Sequence, residues 1–101
     1  MKIKLEYGQE APNYNISQFP SGEPNFRILR DIPDDSEVVL QMQKFDYPLL
    51  ANAVDAIRRH GDFFINLFLP YFPAARQDRV CNEGEALSVK VYADMINALK
   101  L

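Results

Sequence analysis

A run of seven residues near the middle of the chain, 63–69, constrains the fold most, because six of its seven side chains are apolar. Pro70 closes the run. Its length suits a β-strand and is far below the ~20 apolar residues that cross a bilayer. A strand that is apolar on both sides is typical of parallel sheets with both faces covered. We therefore predict a strand buried on both faces over residues 63–69, and no membrane anchor.

The first half of the chain shows the two-residue alternation of half-buried strands. Charged and apolar side chains alternate over residues 2–6, and a mostly apolar run covers residues 38–42. Weaker strand patterns cover residues 13–19 and 26–29. We predict four strands before the first helix, within a single domain.

Two segments have the spacing of amphipathic helices. Over residues 48–60, apolar side chains recur three and four positions apart, and Gly61 follows a basic last turn. A similar pattern predicts a second helix from residue 87 to the end of the chain. Strand, helix, strand and helix in this order predict an α/β fold with a mostly parallel sheet and flanking helices. The second helix lacks the strand that should follow it, so we expect the domain to be incomplete.

The charge balance and the cysteine count exclude several classes of function. The chain has 11 Lys and Arg against 14 Asp and Glu, a net charge of −3. Nucleic-acid binding needs clustered basic side chains, and the sequence shows no such cluster, so we expect no nucleic-acid partner. A single cysteine, Cys81, excludes an intrachain disulfide and fits a reducing compartment. The expected location is the cytoplasm, since the sequence begins with no signal peptide.

Two short motifs carry the candidate chemistry. The first follows the apolar run directly: Pro70-Tyr71-Phe72-Pro73-Ala74-Ala75-Arg76-Gln77-Asp78-Arg79. Ligands of open parallel sheets bind beyond the carboxyl ends of the strands, and guanidinium groups can stack on a base or bind phosphate. The second motif is a tight turn between an aromatic residue and a carboxylate: Phe19-Pro20-Ser21-Gly22-Glu23. Each motif also has a purely structural interpretation. The first could be a solvated turn with an Arg–Asp pair, and the second an ordinary hairpin turn.

Together the two motifs resemble the amino-terminal part of ribose-phosphate pyrophosphokinase, also called phosphoribosyl pyrophosphate synthetase. The segments between and after them fit the same family, through the residues Leu49, Leu50, Asp55 and Ala56 and the helix start Glu85-Ala86-Leu87-Ser88-Val89-Lys90. The resemblance implies that residues 1–101 are the truncated amino-terminal ATP-binding domain of a longer two-domain enzyme, with a phosphoribosyltransferase-like fold. It also implies the reaction, which transfers pyrophosphate from ATP to ribose 5-phosphate, gives phosphoribosyl pyrophosphate and AMP, and uses Mg²⁺.

The resemblance also implies which residues contact ATP, and that the contacts come from two neighbouring copies in a homo-oligomer. Arg76 and Gln77 would hold ATP from one copy, with Arg76 stacking on adenine. Phe19 and Glu23 would complete the adenine pocket from the other copy, Phe19 by stacking and Glu23 by accepting from the amino group. Further candidate ATP-binding residues are Ser21, Asp78 and Arg79. The family often has Asp where this chain has Ser21.

The same resemblance implies what the chain lacks. The metal-binding histidine, the ribose-phosphate loop and the catalytic loop of the family would all lie beyond Leu101. We therefore expect no catalytic and no metal-binding residue in the chain, and no turnover by the chain alone. Two alternatives remain open, a non-catalytic regulatory homologue of the same family and a stand-alone nucleotide-binding module.

Overall fold

Strands and helices follow one another in the predicted order. The computed structural model describes residues 2–5, 14–29, 32–34, 36–72 and 82–101. The strands are β1 (Lys2–Leu5), β2 (Tyr14–Gln18), β3 (Pro24–Ile28), β4 (Glu37–Gln41) and β5 (Phe64–Phe68), and the helices are α1 (Tyr47–His60) and α2 (Ser88–Asn97). Most element ends lie within two residues of the prediction. The exception is the end of α2, which stops at Asn97 instead of continuing to the end of the chain.

Helix α1 forms where the sequence supplies both a cap and an apolar stripe. The Asp46 side chain accepts a hydrogen bond from the Leu49 N–H at 3.2 Å, and Pro48 occupies the first turn, where its missing N–H costs nothing. The last turn is basic and complements the carbonyl end of the helix. The buried face of α1 consists of Leu50, Ala53, Val54 and Ile57. It joins one apolar cluster with buried side chains of β3, β4 and β5.

The five strands form two sheets, and only one of the three pairings is parallel. Strand β4 lies between β1, antiparallel to it, and β5, parallel to it. Strands β2 and β3 form a separate antiparallel hairpin, and β3 packs on α1. The α/β class is confirmed, but the prediction of a mostly parallel sheet is wrong for the described residues. For β2 and β3 the reason is connection length, because a short turn joins them and a parallel pair needs a long crossover, such as α1 provides between β4 and β5.

The sequence predicts that β5 is buried on both faces, but among the described residues only one face of the strand is covered. Ile65 is buried at 7% exposure and Leu67 is half-buried, and both belong to the face that packs into the core. On the opposite face Phe64 is 79% exposed and Phe68 53% exposed. The prediction assumed helices on both sides of the sheet, but within the described part of the chain the core lies on one side of β5. An apolar residue at nearly every position of a strand therefore does not guarantee burial on both faces.

Helix α2 is attached more loosely than α1. None of its ten residues is buried, although Leu99 beyond its end joins the core. Tyr92 packs edge-on against Phe45, with the ring centroids 5.5 Å apart. At the other end of the helix, Arg58 Nη2 donates a hydrogen bond to the Lys100 carbonyl at 2.8 Å. These contacts hold α2 beside α1.

Candidate functional site

The turn between β2 and β3 contains one of the two candidate motifs, residues 19–23. The Gly22 N–H donates to the Phe19 carbonyl at 2.8 Å, and the Phe19 N–H donates to the Glu23 carbonyl at 2.9 Å. Gly22 has a φ of +95°, a left-handed conformation that glycine adopts without strain. A turn followed by a left-handed glycine is a common three-residue hairpin loop. Pro20 suits the second position of such a turn because its ring fixes φ. The motif therefore forms a defined hairpin tip.

The tip presents an aromatic ring and a carboxylate to solvent. Phe19 is 52% exposed, and Ser21 and Glu23 are exposed as well. The Ser21 hydroxyl donates a hydrogen bond to Glu23 Oε2. This hydrogen bond, with a second from the Glu23 backbone, lowers the pKa of the Glu23 carboxyl below its usual range. Glu23 therefore stays ionised at neutral pH, and its exposed carboxylate can accept a hydrogen bond from another molecule.

The hairpin behind the tip is anchored to the core, which fixes where the tip projects. Tyr14 of β2 stacks on Phe26 of β3, with the ring centroids 5.6 Å apart and the planes inclined by 20°. Phe26 and Ile28 are both buried in the common core. The tip is thus the exposed end of a hairpin whose base packs into the core, an arrangement that suits a binding group.

The Arg-containing motif follows the carboxyl end of β5. The Met42 N–H donates to the Phe68 carbonyl at 3.2 Å, so the carboxyl ends of β4 and β5 lie side by side. Tyr71 is exposed just beyond. Arg76, Gln77, Asp78 and Arg79 lie outside the described residues. The structure therefore gives no distance between these side chains and the hairpin tip.

A cleft at the same end of the sheet was missed by the sequence analysis. It has a volume of about 530 Å³ and lies between the β4–α1 connection and α2. Its lining residues are Met42, Lys44, Phe45, Asp46, Tyr47, Pro48, Leu49, Tyr92 and Met95. The available signal was Asp46 followed by Pro48, a helix start placed directly after a parallel strand.

Two further properties concern the described residues only. They contain no group of three or more His, Cys, Asp or Glu side chains that could hold a metal ion. Among them there is also no helix with the length and hydrophobicity needed to cross a membrane.

Comparison with known proteins identifies the family of this hairpin-and-sheet domain. Residues 1–99 match the family model described as the N-terminal domain of ribose phosphate pyrophosphokinase. The chain belongs to the ribose-phosphate pyrophosphokinase family. The resemblance stated from the two motifs is thus confirmed.

Individual members of the ribose-phosphate pyrophosphokinase family align over nearly all of this chain. The ribose-phosphate pyrophosphokinase of Pyrococcus furiosus is 35% identical over 99 residues, which cover 93% of this chain and 35% of that protein. The enzyme of the same name from Methanosarcina acetivorans is 31% identical over 96 residues, 93% of this chain and 33% of that protein. The chain therefore spans about a third of the length of these relatives.

A solved structure shares the fold. The crystal structure of phosphoribosylpyrophosphate synthetase from Mycobacterium smegmatis superposes with a TM-score of 0.69 and 23% sequence identity. The match covers 89% of this chain and 32% of that one.

Proposed function

We infer that this chain is the ATP-binding amino-terminal domain of a ribose-phosphate pyrophosphokinase, an enzyme of the cytoplasm. In the complete enzyme, pyrophosphate passes from ATP to ribose 5-phosphate and AMP is released. The observation that carries the inference for this chain is the hairpin tip, where an exposed ring stands beside an ordered carboxylate. Family membership supports the same conclusion.

The tip has the groups needed to recognise adenine. The Phe19 ring offers a flat apolar surface on which a base can stack. Glu23 is ionised and accepts hydrogen bonds without donating any, so it suits the exocyclic amino group of adenine and disfavours a carbonyl oxygen. Because the Ser21 hydroxyl already donates a hydrogen bond to Glu23 Oε2, it orients the carboxylate rather than contacting the base.

The second half of the proposed site consists of Arg76 and Gln77, with Asp78 and Arg79 beside them. They follow β5 beyond the carboxyl ends of the parallel pair, where ligands of such sheets bind. We place Arg76 against the other face of adenine, where a guanidinium plane can stack. In this proposal Mg²⁺ comes bound to the phosphates of ATP.

We propose that the two halves come from different copies of the chain. The Phe19 side chain and the Glu23 carboxylate are both exposed and so are available to a neighbouring molecule. The remaining machinery for transfer to ribose 5-phosphate would belong to the complete enzyme, so the 101-residue chain by itself should form no AMP from ATP and ribose 5-phosphate.

Mixing two defective variants tests this arrangement. Phe19→Ala and Arg76→Ala should each bind ATP weakly in titration calorimetry. If the site is shared between copies, an equimolar mixture of the two variants regains about a quarter of the wild-type sites, because half of all pairs are mixed and each mixed pair combines one intact site with one doubly defective site. Leu29→Ala is the matched control, since Leu29 is 54% exposed just after β3 and lies away from the tip. A mixture that binds no better than its two components contradicts the shared site.

A further inference from the structure

The hairpin of β2 and β3 has one face that the core does not use. Side chains alternate between the two faces of a strand, and Phe26 and Ile28 lie in the core. The opposite face, termed the outer hairpin face, carries Asn15, Ser17, Asn25 and Arg27, and Phe19 and Glu23 continue it at the tip. Asn25 Nδ2 donates a hydrogen bond to Ser17 Oγ at 3.5 Å, so these side chains do lie on one face. The candidate adenine groups are therefore part of a longer surface.

Arg27 is the cation at the far end of the outer hairpin face. Its side chain is exposed, and within the described part of the chain no hydrogen bond or ion pair engages it. It follows Glu23 by four residues on the same strand, which places the two about 13 Å apart. A neighbouring copy that covers Phe19 and Glu23 approaches this face, so it also comes close to Arg27.

The cleft at the carboxyl end of β4 has the side chains that suit a guanidinium group. Its lining includes the rings of Phe45, Tyr47 and Tyr92, and it is termed the aromatic cleft. The Phe45 ring centroid lies 6.4 Å from that of Tyr47 and 5.5 Å from that of Tyr92. All three residues are half-buried, so part of each remains accessible. A guanidinium plane stacks well on aromatic rings.

Asp46 gives the aromatic cleft a counter-charge for a cation. Its side chain is exposed and accepts a hydrogen bond from the Leu49 N–H at 3.2 Å, which holds the carboxylate in place. A carboxylate has further acceptor sites, enough for a guanidinium as well. Lys44 also lines the cleft, but its flexible stem lets the ammonium group move away from an arriving cation.

A second cleft is acidic but lies at the wrong end of the sheet. It has a volume of about 300 Å³ and is lined by Asp34, Ser36, Glu37, Asp62 and Phe64. Glu37 begins β4 and Phe64 begins β5, so this acidic cleft lies at the amino ends of the parallel pair. The Arg-containing motif follows the opposite end, beside the aromatic cleft. A copy that reaches this motif with its hairpin tip is therefore closer to the aromatic cleft.

We propose that Arg27 of one copy inserts into the aromatic cleft of a neighbouring copy, stacks on its rings and pairs with Asp46. Arg27 is then a positioning residue, because it holds the hairpin tip over the neighbouring copy without contacting ATP. Each copy carries one Arg27 and one cleft, so two copies can exchange both contacts about a two-fold axis. The inference rests on the part of the proposed function that shares the site between copies, and it requires no nucleotide.

Sedimentation without nucleotide tests the pairing. The native chain should associate with rising concentration. Arg27→Ala and Asp46→Asn should each weaken association about fivefold or more, and the double variant should be no weaker than the weaker single variant, because both changes remove one contact. Asparagine still caps a helix, so α1 should stay folded in Asp46→Asn, as circular dichroism will check. Asp62→Asn is the matched control, since it removes an exposed charge from the acidic cleft and should leave association unchanged.

Several results would overturn the pairing. They are a native chain that stays monomeric, losses that add up in the double variant, or weaker association in Asp62→Asn but not in Asp46→Asn. An Arg27→Ala variant that loses ATP affinity but associates normally without nucleotide would place Arg27 on the phosphates instead. A chain that associates through Arg27 and Asp46 but binds no ATP would support the pairing and contradict the ATP site.

Cross-linking between two variants tests the location of the contact. In a Cys81→Ser background, which removes the one native cysteine, Asn25→Cys in one chain is mixed with Lys44→Cys in another. These positions neighbour Arg27 and Asp46 and leave both in place. A short bis-maleimide should join the two different chains, whereas Asn25→Cys mixed with Glu37→Cys, at the other end of the sheet, should stay unlinked. Equal yields from the two mixtures, or no product with Lys44→Cys, would contradict the proposal.

Discussion

The hairpin tip and the edge of β5 both expose phenylalanine, yet the surroundings of the rings differ. At the tip, Phe19 stands beside a carboxylate that Ser21 orients through a hydrogen bond. On β5, Phe64 and Phe68 flank a single polar residue, Asn66, and lie beside backbone groups that lack a partner strand among the described residues. An oriented charge beside a ring suits a small polar ligand, whereas an unpaired backbone edge beside rings suits another strand.

The difference shows that the exposure of an aromatic ring does not by itself indicate what the ring binds. The polar groups within reach of the ring decide what can cover it. Substituting those neighbours, or the ring itself, therefore distinguishes the roles of the two surfaces. The expected effects range from a loss of several kcal/mol in the free energy of unfolding to a small change in one pKa.

The largest effect should come from the inner face of β5. Ile65→Ala removes a side chain that is 7% exposed and leaves a cavity in the core, so it should lower the free energy of unfolding by about 2–5 kcal/mol. Phe64→Ala, one residue away on the outer face, should change it by less than about 0.5 kcal/mol at concentrations where the chain is a monomer. Urea unfolding of the two variants measures both values. Similar losses for the two would mean that the outer face is covered within a single copy.

The next largest effect should be on the affinity for ATP. Arg76→Ala should weaken ATP binding about five- to a hundredfold, because it removes both a stacking surface and a charge-assisted contact. Arg76→Lys should restore only part of the affinity, since an ammonium group cannot present a flat fork. Titration calorimetry gives the affinities, and a melting curve checks the fold. If Arg76 is instead a surface ion-pair partner, ATP affinity will not change.

A smaller effect should follow from the backbone of the tip. Gly22→Ala places a Cβ on a residue with φ of +95°, which costs about 1–2 kcal/mol for a side chain other than that of glycine. No atom lies within 4 Å of that Cβ, so the cost comes from the backbone alone. Gly22→Asn should be milder, because asparagine tolerates this conformation better. Equal stability of the wild type and Gly22→Ala in thermal unfolding would show that the tip changes its turn type freely.

The smallest effect should appear in the titration of Glu23. Its pKa is lowered first by the Ser21 hydroxyl and then by its own backbone N–H. A lowered pKa means that this hydrogen bond stabilises the tip at neutral pH and is lost as the pH falls through the folded-state pKa. Ser21→Ala should raise the pKa of Glu23 toward its ordinary value, measured by nuclear magnetic resonance of the side-chain carboxyl carbon. An unchanged pKa in Ser21→Ala would show that Ser21 does not orient the carboxylate.

Much of the fold could be predicted because its signals are local. The stripe of Leu50, Ala53, Val54 and Ile57, with Asp46 before it and a basic last turn, specifies α1 without reference to the rest of the chain. The motif around Gly22 likewise specified its turn, because proline and glycine fix the backbone there.

The predictions that were wrong, and the cleft that was missed, depend on contacts between elements that are far apart in the sequence. The apolar run 63–69 gives no information on how many helices cover it, so the burial of Phe64 and Phe68 could not be derived from the strand itself. The direction of each strand pair depends on what connects the strands, and only the β4–β5 connection contains a helix among the described residues. The cleft beside Phe45 and Tyr92 likewise joins segments far apart in sequence. Of the candidate site, the sequence predicted the turn at residues 19–23, which the structure shows. The ATP-binding roles of Phe19, Glu23, Arg76 and Gln77 stay predictions.

The central claim is that the hairpin tip recognises adenine through Glu23, and comparing ATP with GTP tests it most directly. Both nucleotides should be titrated into the wild-type chain and into Glu23→Gln under the same conditions. The wild type should prefer ATP by about ten- to a hundredfold, the discrimination expected of a hydrogen bond to a charged group. Glu23→Gln should lose most of that preference, because its amide can accept from the amino group of adenine or donate to the carbonyl of guanine. A wild-type chain that binds the two nucleotides equally, or a variant that keeps the full preference for ATP, would contradict the claim.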